Sequence, residues 1–202
     1  NRIKSWWDKL LLGKKTGIDL PAEGDGFLYG PKEKEEKIGE IWRIGDTYNV
    51  SIGQGNLAVT PIRLLTAISF LANDGQSFRP YIAQSVVDER GNLVLLNEPQ
   101  EEMSYPEWQP SIYEIKKGLR DAVSKSYGTA NSLSGLPIVV AGKTGSAQIS
   151  NNTKTNAFFV GYAPVDDPEI ALLILIEDSR EGSLNTLPIA RDVFEWYYYN
   201  RM

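Results

Sequence analysis

Hydrophobic and polar positions along this chain switch between a helical and an extended rhythm, and the switches divide it into elements. Ile3, Trp6, Trp7, Leu10 and Leu11 recur at helical spacing before Gly13. They predict a short amphipathic helix with Lys4, Asp8 and Lys9 outward. From Thr16 to Asn49 the rhythm is lost among Gly17, Pro21, Gly24, Gly26, Gly30 and Pro31, which reads as loop. The charge run Lys32 to Lys37 within it reads as a solvated surface segment that neutralises itself. Thr60 followed by Pro61 is a strong helix start, because the threonine caps and the proline gives up no useful amide. Leu64, Leu65, Ile68 and Leu71 then form an apolar face, ended by Asn73-Asp74-Gly75, and the scarcity of charge after Arg63 predicts deep burial against a sheet.

The second half is richer in strands. Tyr81 to Asp88 and Leu93 to Leu96 flank the turn Glu89-Arg90-Gly91-Asn92 and predict a hairpin, and Glu98 to Pro110 reads as a polar connector. Ser111 and Glu114 have capping-box spacing ahead of a helical stripe of Ile112, Ile115, Leu119 and Val123. Strands are expected at 137 to 148, Asn156 to Tyr162 and Glu169 to Glu177, joined by links short enough for antiparallel neighbours, with Asp166-Asp167-Pro168 as a turn. Leu187 to Tyr199 reads as a closing helix. The sum is an α+β layer, an antiparallel sheet covered by helices, with no internal repeat.

Composition narrows the chemistry. A chain of 202 residues with 42% hydrophobic content can bury one substantial core. A net charge of −5, without a basic cluster, argues against a nucleic-acid surface. There is no cysteine and no histidine, which excludes a disulfide framework, a thiolate zinc site and any Ser-His-Asp or Cys-His catalytic group. Acyl-transfer or hydrolytic chemistry here must use lysine, carboxylate or tyrosine as its base. The longest apolar run, Ile170 to Ile176, is far short of a membrane span, and Asn1 to Lys15 lacks the order of a signal peptide.

The stretch with most chemical content is Pro137 to Gln148, Pro-Ile-Val-Val-Ala-Gly-Lys-Thr-Gly-Ser-Ala-Gln. Its apolar run Ile138 to Ala141 delivers one cation, two hydroxyls and an unobstructed backbone at Lys143, Thr144, Gly145 and Ser146, a combination that suits an anion. Gly142-Lys143-Thr144 has the look of a phosphate loop, but that loop requires glycine at position 137, where proline stands. It also requires a helix next, whereas Ser146 to Thr155 is polar and without apolar period.

The residues beyond this stretch decide between the two. Lys143-Thr144-Gly145-Ser146-Ala147-Gln148, then Asn156-Ala157-Phe158-Phe159-Val160-Gly161-Tyr162-Ala163-Pro164, resembles the third motif and next strand of the penicillin-binding protein transpeptidases. Upstream, Gly53-Gln54-Gly55-Asn56-Leu57-Ala58-Val59-Thr60-Pro61 and Leu71-Ala72-Asn73-Asp74-Gly75 resemble the same family's helix ahead of its catalytic sheet, with class B, monofunctional spacing. Gly17-Ile18-Asp19-Leu20-Pro21 with Glu23 also resembles a family segment. The resemblance runs from about Thr16 onward and implies that residues 1–202 are the C-terminal portion of a single transpeptidase domain of the penicillin-binding protein and serine β-lactamase type.

The implied mechanism is acylation of a serine by a peptidoglycan stem peptide ending in D-Ala-D-Ala, followed by transfer to a neighbouring stem's amine, with β-lactams acylating the same serine. Three motifs serve it: Ser-x-x-Lys, Ser-x-Asn and Lys-Thr-Gly. No serine in this chain has lysine three places on. Ser-x-Asn occurs at Ser150-Asn151-Asn152 and Ser183-Leu184-Asn185, both after Lys-Thr-Gly, out of family order, and both read as loop. The nucleophile and second motif are therefore expected on an N-terminal portion outside this chain, and the segment alone is expected to be inactive. By resemblance, Lys143 supplies positive charge, the Thr144 and Ser146 hydroxyls receive the terminal carboxylate, Gly145 allows close approach, and the Ser146 amide is one of two oxyanion donors. Gln148 is expected to line the same edge. Asn156 stands where the family often has histidine, and Gly53-Gln54-Gly55 reads as a structural turn. No metal or cofactor is expected. The parent is expected to act outside the cytoplasmic membrane, anchored to it, among cell-wall synthesis partners, and the alternative of the same fold is a β-lactam sensor domain.

Overall fold

The computed structural model describes residues 2–149, 154–179 and 182–202. Its centre is an antiparallel sheet of strands β5 (Ala141–Ile149), β6 (Lys154–Ala163) and β7 (Ile170–Ser179), in that spatial order. Register assigns the two faces, because side chains directly opposite one another share a face. Ala141 pairs with Tyr162, Lys143 with Val160 and Gly145 with Phe158 on one face; Gly142 pairs with Gly161, Thr144 with Phe159 and Ser146 with Ala157 on the other.

Each face has its helix. Helix α6 (Gly182–Arg201) lays Leu187, Ala190 and Phe194 on the Phe159 and Ile174 face, with the Phe159 and Phe194 rings edge to face at 6.4 Å. On the other face, Ile68 and Ala72 of helix α4 (Pro61–Ala72) cover Ala141 and Tyr162. The expected Thr60 cap is present, its hydroxyl accepting from the Arg63 amide at 3.3 Å. Helix α5 (Gln109–Ser124) lies along β5, with Val123 in the α6-side core and Leu119 against the α4-side core. The α+β layering read from sequence is the observed one, and the three sheet strands differ from expectation mainly at their ends: 137 to 140 precede β5 as non-strand chain.

Several local readings are corrected. The segment from Thr16 to Asn49 is not all loop, since it contains helix α2 (Pro31–Ile38) and most of helix α3 (Ile44–Ser51). Gly30 and Pro31 open α2, with the Gly30 amide donating to Glu33 at 2.9 Å, and Gly39 closes it at φ +76. These are the positions at which proline and glycine favour a helix boundary. The charge run lies on α2, and one of its members is not solvated: Lys34 is buried and donates to both Asp46 oxygens at 2.8 Å, pinning α2 to α3. That pair holds Lys34 above and Asp46 below its ordinary pKa.

Two further elements were not expected. Strand β1 (Gln76–Phe78) pairs with β4 (Glu101–Ser104), which lies inside the polar connector. Arg63, fully buried, binds Glu102 through two nitrogens at 2.6 and 2.9 Å and also donates to the Lys14 and Lys15 carbonyls. Helix α5 starts at Gln109, so the Ser111 and Glu114 capping box does not form. The Trp108 ring stacks on Tyr105 at 4.2 Å and meets Phe70, and this aromatic cluster sets the turn ahead of the box. Helix α6 begins five residues before Leu187 and carries Pro188 in its interior. The missing Pro188 amide leaves the Leu184 carbonyl without its usual donor.

The hairpin is where it was expected, with β2 (Ser85–Val87) against β3 (Leu93–Leu96) and Asp88 accepting from the Arg90 and Asn92 amides to close the turn. Asp19 grips its base by accepting from the Ile82 and Ala83 amides at 2.7 and 2.9 Å. Glu23 accepts from the Thr16 and Gly17 amides, so the Gly17 to Glu23 segment is a structural clasp.

Candidate active site at the free edge of strand β5

Among the described residues strand β5 pairs with another strand, β6, on one side only, and its other edge carries the residues singled out in the sequence. The side chain of Gln54 donates from Nε2 to the Ser146 carbonyl at 3.1 Å. In an antiparallel ladder the N–H and C=O of one residue point to the same side. The Ser146 amide therefore also faces outward on the free edge, as do the peptide groups of Thr144 and Gln148, two residues away in each direction along an unbroken register.

Lys143 lies on the α4 face and is exposed, and its Nζ curls around the strand to donate to the Thr144 carbonyl on the outward edge. Its cation thus sits at the outward carbonyl two residues before Ser146. Thr144 lies on the α6 face and is 8% exposed, with its hydroxyl donating to Thr129 at 2.8 Å. Thr129 itself is exposed, so the hydroxyl pair reaches solvent through Thr129 rather than Thr144. Ser146 and Gln148 share the α6 face with Thr144 and are exposed. The five predicted residues thus meet along one edge but divide between two faces, Lys143 and Gly145 on one and Thr144, Ser146 and Gln148 on the other.

The two glycines of the stretch do different jobs. A Cβ on Gly142 would lie 2.7 Å from the Phe159 ring and 2.8 Å from the Val160 carbonyl oxygen, so glycine is required there by packing. A Cβ on Gly145 would meet only the Phe158 Cβ at 3.5 Å, an ordinary contact. Among the described residues no packing demands glycine at 145; its bare surface keeps that face of the edge clear.

Asn156 sits at the β6 register shift, where its side-chain oxygen accepts from the Asp178 amide at 3.4 Å. Ser150-Asn151-Asn152 falls outside the described residues, and Ser183-Leu184-Asn185 belongs to α6 rather than a loop. Two residues were missed. Gln54, read as part of a structural turn, touches the site strand. Thr129 was assigned no role, and nothing in its sequence surroundings marks it; the structure alone brings its hydroxyl to Thr144. Among the described residues no group of acidic, cysteine or histidine side chains could hold a metal ion, and no helix is long and apolar enough to cross a membrane.

A free strand edge with paired outward donor and acceptor, a cation at its side and a cleared glycine face can receive an extended, anionic chain beside a helix-covered antiparallel sheet. The sequence pattern of the penicillin binding protein transpeptidase domain matches residues 1–195, and the chain belongs to that family, as a segment of the class B type. It is 27% identical over its whole length to the peptidoglycan D,D-transpeptidase MrdA of Acinetobacter baumannii and 28% identical to that of Haemophilus influenzae. It covers 31% and 33% of those proteins, so the chain spans about a third of the length of the curated relatives it matches. Among solved structures it superposes on Pseudomonas aeruginosa PBP2 in complex with WCK 5153 with a TM-score of 0.84 at 26% identity, covering 99% of this chain and 44% of that one. The PBP2 of a complex with MreC from Helicobacter pylori shares the fold, with a TM-score of 0.81 at 24% identity over 100% of this chain and 36% of that one.

Proposed function

We propose that this chain supplies the substrate-receiving edge of a peptidoglycan D,D-transpeptidase whose attacking serine lies in a part of the protein outside these residues. The observation that carries the reading is the outward pair of Ser146 amide and carbonyl beside the exposed Lys143 cation. In the first half-reaction the serine oxygen attacks the penultimate D-Ala carbonyl of a stem peptide. The carbonyl oxygen gains negative charge, and the Ser146 amide hydrogen-bonds it, the second donor being the serine's own amide. Lys143 stabilises the negative charge that develops as the serine proton is passed on. The terminal D-Ala leaves as the amine takes a proton, and an ester remains on the serine. A neighbouring stem's amine then attacks that ester, forming the new peptide bond and returning the proton to the serine.

The terminal carboxylate is received by hydroxyls on the α6 side of the edge, from Ser146 and from Thr144 acting through Thr129. Gln148, two residues beyond Ser146, lines the continuation of the edge about 7 Å further along. β-Lactams present the same carboxylate beside a strained carbonyl and acylate the same serine. The parent is anchored at the outer face of the cytoplasmic membrane, where its substrate is, and works with cell-wall synthesis partners. The family match, the MrdA relatives and the PBP2 superposition support this assignment.

The test uses labelled penicillin on the full-length protein and on residues 1–202 alone. Stoichiometric labelling of the full-length protein, with none of the segment, is expected. Labelling of the segment would move the nucleophile into this chain, and absence of labelling in both would remove the transpeptidase reading.

A further inference from the structure

Gln54 stands where the backbone of an added strand would stand. It is presented by a built turn rather than by a chance contact. Its own amide donates to the Asn49 carbonyl at 2.9 Å and the Gly53 amide to Val50 at 3.2 Å, so the turn grows directly off the C-terminal end of α3. Gly53 and Gly55 flank it at φ +74 and φ +93, the left-handed region that side-chain-bearing residues disfavour. A Cβ on Gly55 would lie 2.5 Å from the hydroxyl of Tyr29, itself 2% exposed, so the turn is fitted to a buried ring. These constraints direct one flexible side chain at the outward carbonyl of Ser146.

The chemistry of that side chain matters. A primary carboxamide offers the same donor and acceptor as a peptide unit. An extended peptide adding antiparallel to a free edge exchanges two hydrogen bonds with one residue: its carbonyl takes that residue's amide and its N–H is given to that residue's carbonyl. At Ser146 the amide is the proposed oxyanion donor, and the carbonyl beside it is already held by Gln54.

We propose that Gln54 is a displaceable cap on the acyl-donor position of β5, a determinant of which ligands the site prefers. It holds the Ser146 carbonyl while the edge is empty, and a ligand that brings its own amide N–H next to the reacting carbonyl must take that place from it. A ligand without such an N–H leaves Gln54 where it is. This inference rests on the transpeptidase reading of the edge. The cap is a discriminator of modest size, because one neutral hydrogen bond exchanged for another shifts binding by about two- to tenfold.

The experiment measures the second-order rate constant of acylation of the full-length protein by benzylpenicillin, whose phenylacetamido N–H adjoins the lactam carbonyl, and by a carbapenem, which carries a hydroxyethyl group there. Wild type, Gln54→Ala and Gln54→Met are compared; the methionine variant keeps close to the side-chain length, removes the donor and adds no charge. Both variants are expected to react with benzylpenicillin about two- to tenfold faster than wild type and with the carbapenem within twofold of it. Equal changes for the two compounds would make Gln54 a strut of the α3 turn and overturn the cap, as would slower reaction confined to benzylpenicillin. If the wild type were acylated by neither compound, the transpeptidase reading would fail and the cap with it, an outcome distinct from an acylated wild type whose variants show no selectivity.

Discussion

The two ends of strand β5 obey different rules. At the inner end, Ala141 and Gly142 are sealed between α4 and α6, and neighbouring atoms dictate what can stand there. At the outer end, Ser146 and Gln148 are exposed, and a Cβ on Gly145 would meet, among the described residues, only Phe158 of β6 at ordinary contact distance. One strand thus serves as core and, in the proposed function, as site. The inner half holds the strand straight and in register, so that the outer half can present its peptide groups without moving. Substitutions at the inner end should therefore change stability, and those at the outer end should change acylation.

The largest effect is expected from Phe194→Ala, which removes the ring packed edge to face on Phe159 in the core under β5. Unfolding free energy should fall by about 3–5 kcal/mol in denaturant melts, while the acylation rate per folded molecule stays near wild type. Next is Lys143→Ala at the exposed side of the edge. Penicillin acylation of the full-length protein should fall about 10²–10³-fold with the melting temperature unchanged, and an unaltered rate would remove Lys143 from the mechanism.

Tyr162, the partner of Ala141, gives a pH test of the inner end. It is fully buried, and among the described residues its hydroxyl has no hydrogen-bond partner. Burial, reinforced by the charges of Asp74 and Asp166, pushes its pKa from 10.0 up to about 12. The folded state therefore keeps a proton that the unfolded state begins to release near pH 10. Stability should be intact below that pH and decline by about 2–3 kcal/mol as pH rises through 12. Tyr162→Phe should abolish this part of the alkaline decline in pH-dependent melts. The smallest and sharpest comparison is between two alanines. Gly142→Ala should lose about 1–3 kcal/mol of stability through its clash with Phe159. Gly145→Ala should melt within about 0.5 kcal/mol of wild type, yet slow acylation by crowding the face where substrate approaches.

Much of the scaffold was legible because it depends on local patterns. The Thr60 and Pro61 start, the Asp88 to Asn92 turn and the apolar run of β6 each carry their signal within a few residues. The failures share a cause. Gly30, Pro31 and Gly39 are punctuation that a loop and a helix boundary use alike, and only Lys34 reaching Asp46 settles which one was meant. The Ser111 capping box was a sound local signal overridden by Trp108, which stacks on Tyr105 and meets Phe70 edge to face.

What the sequence determined by itself is the chemical inventory of the edge. It contains Lys143, Thr144, Gly145 and Ser146 in one strand, no histidine, and no serine with lysine three places on. Alternation along a strand follows from covalent geometry, so the division of these residues between two faces was implicit in their order. Which peptide groups look outward was not. That follows from β5 pairing with β6 along one side and from Gln54, 92 residues away in sequence, meeting its other side. The joining of Thr129 to Thr144 likewise required α5 to pack along β5. Such contacts are made between distant segments by burial and close packing, which no local spacing encodes.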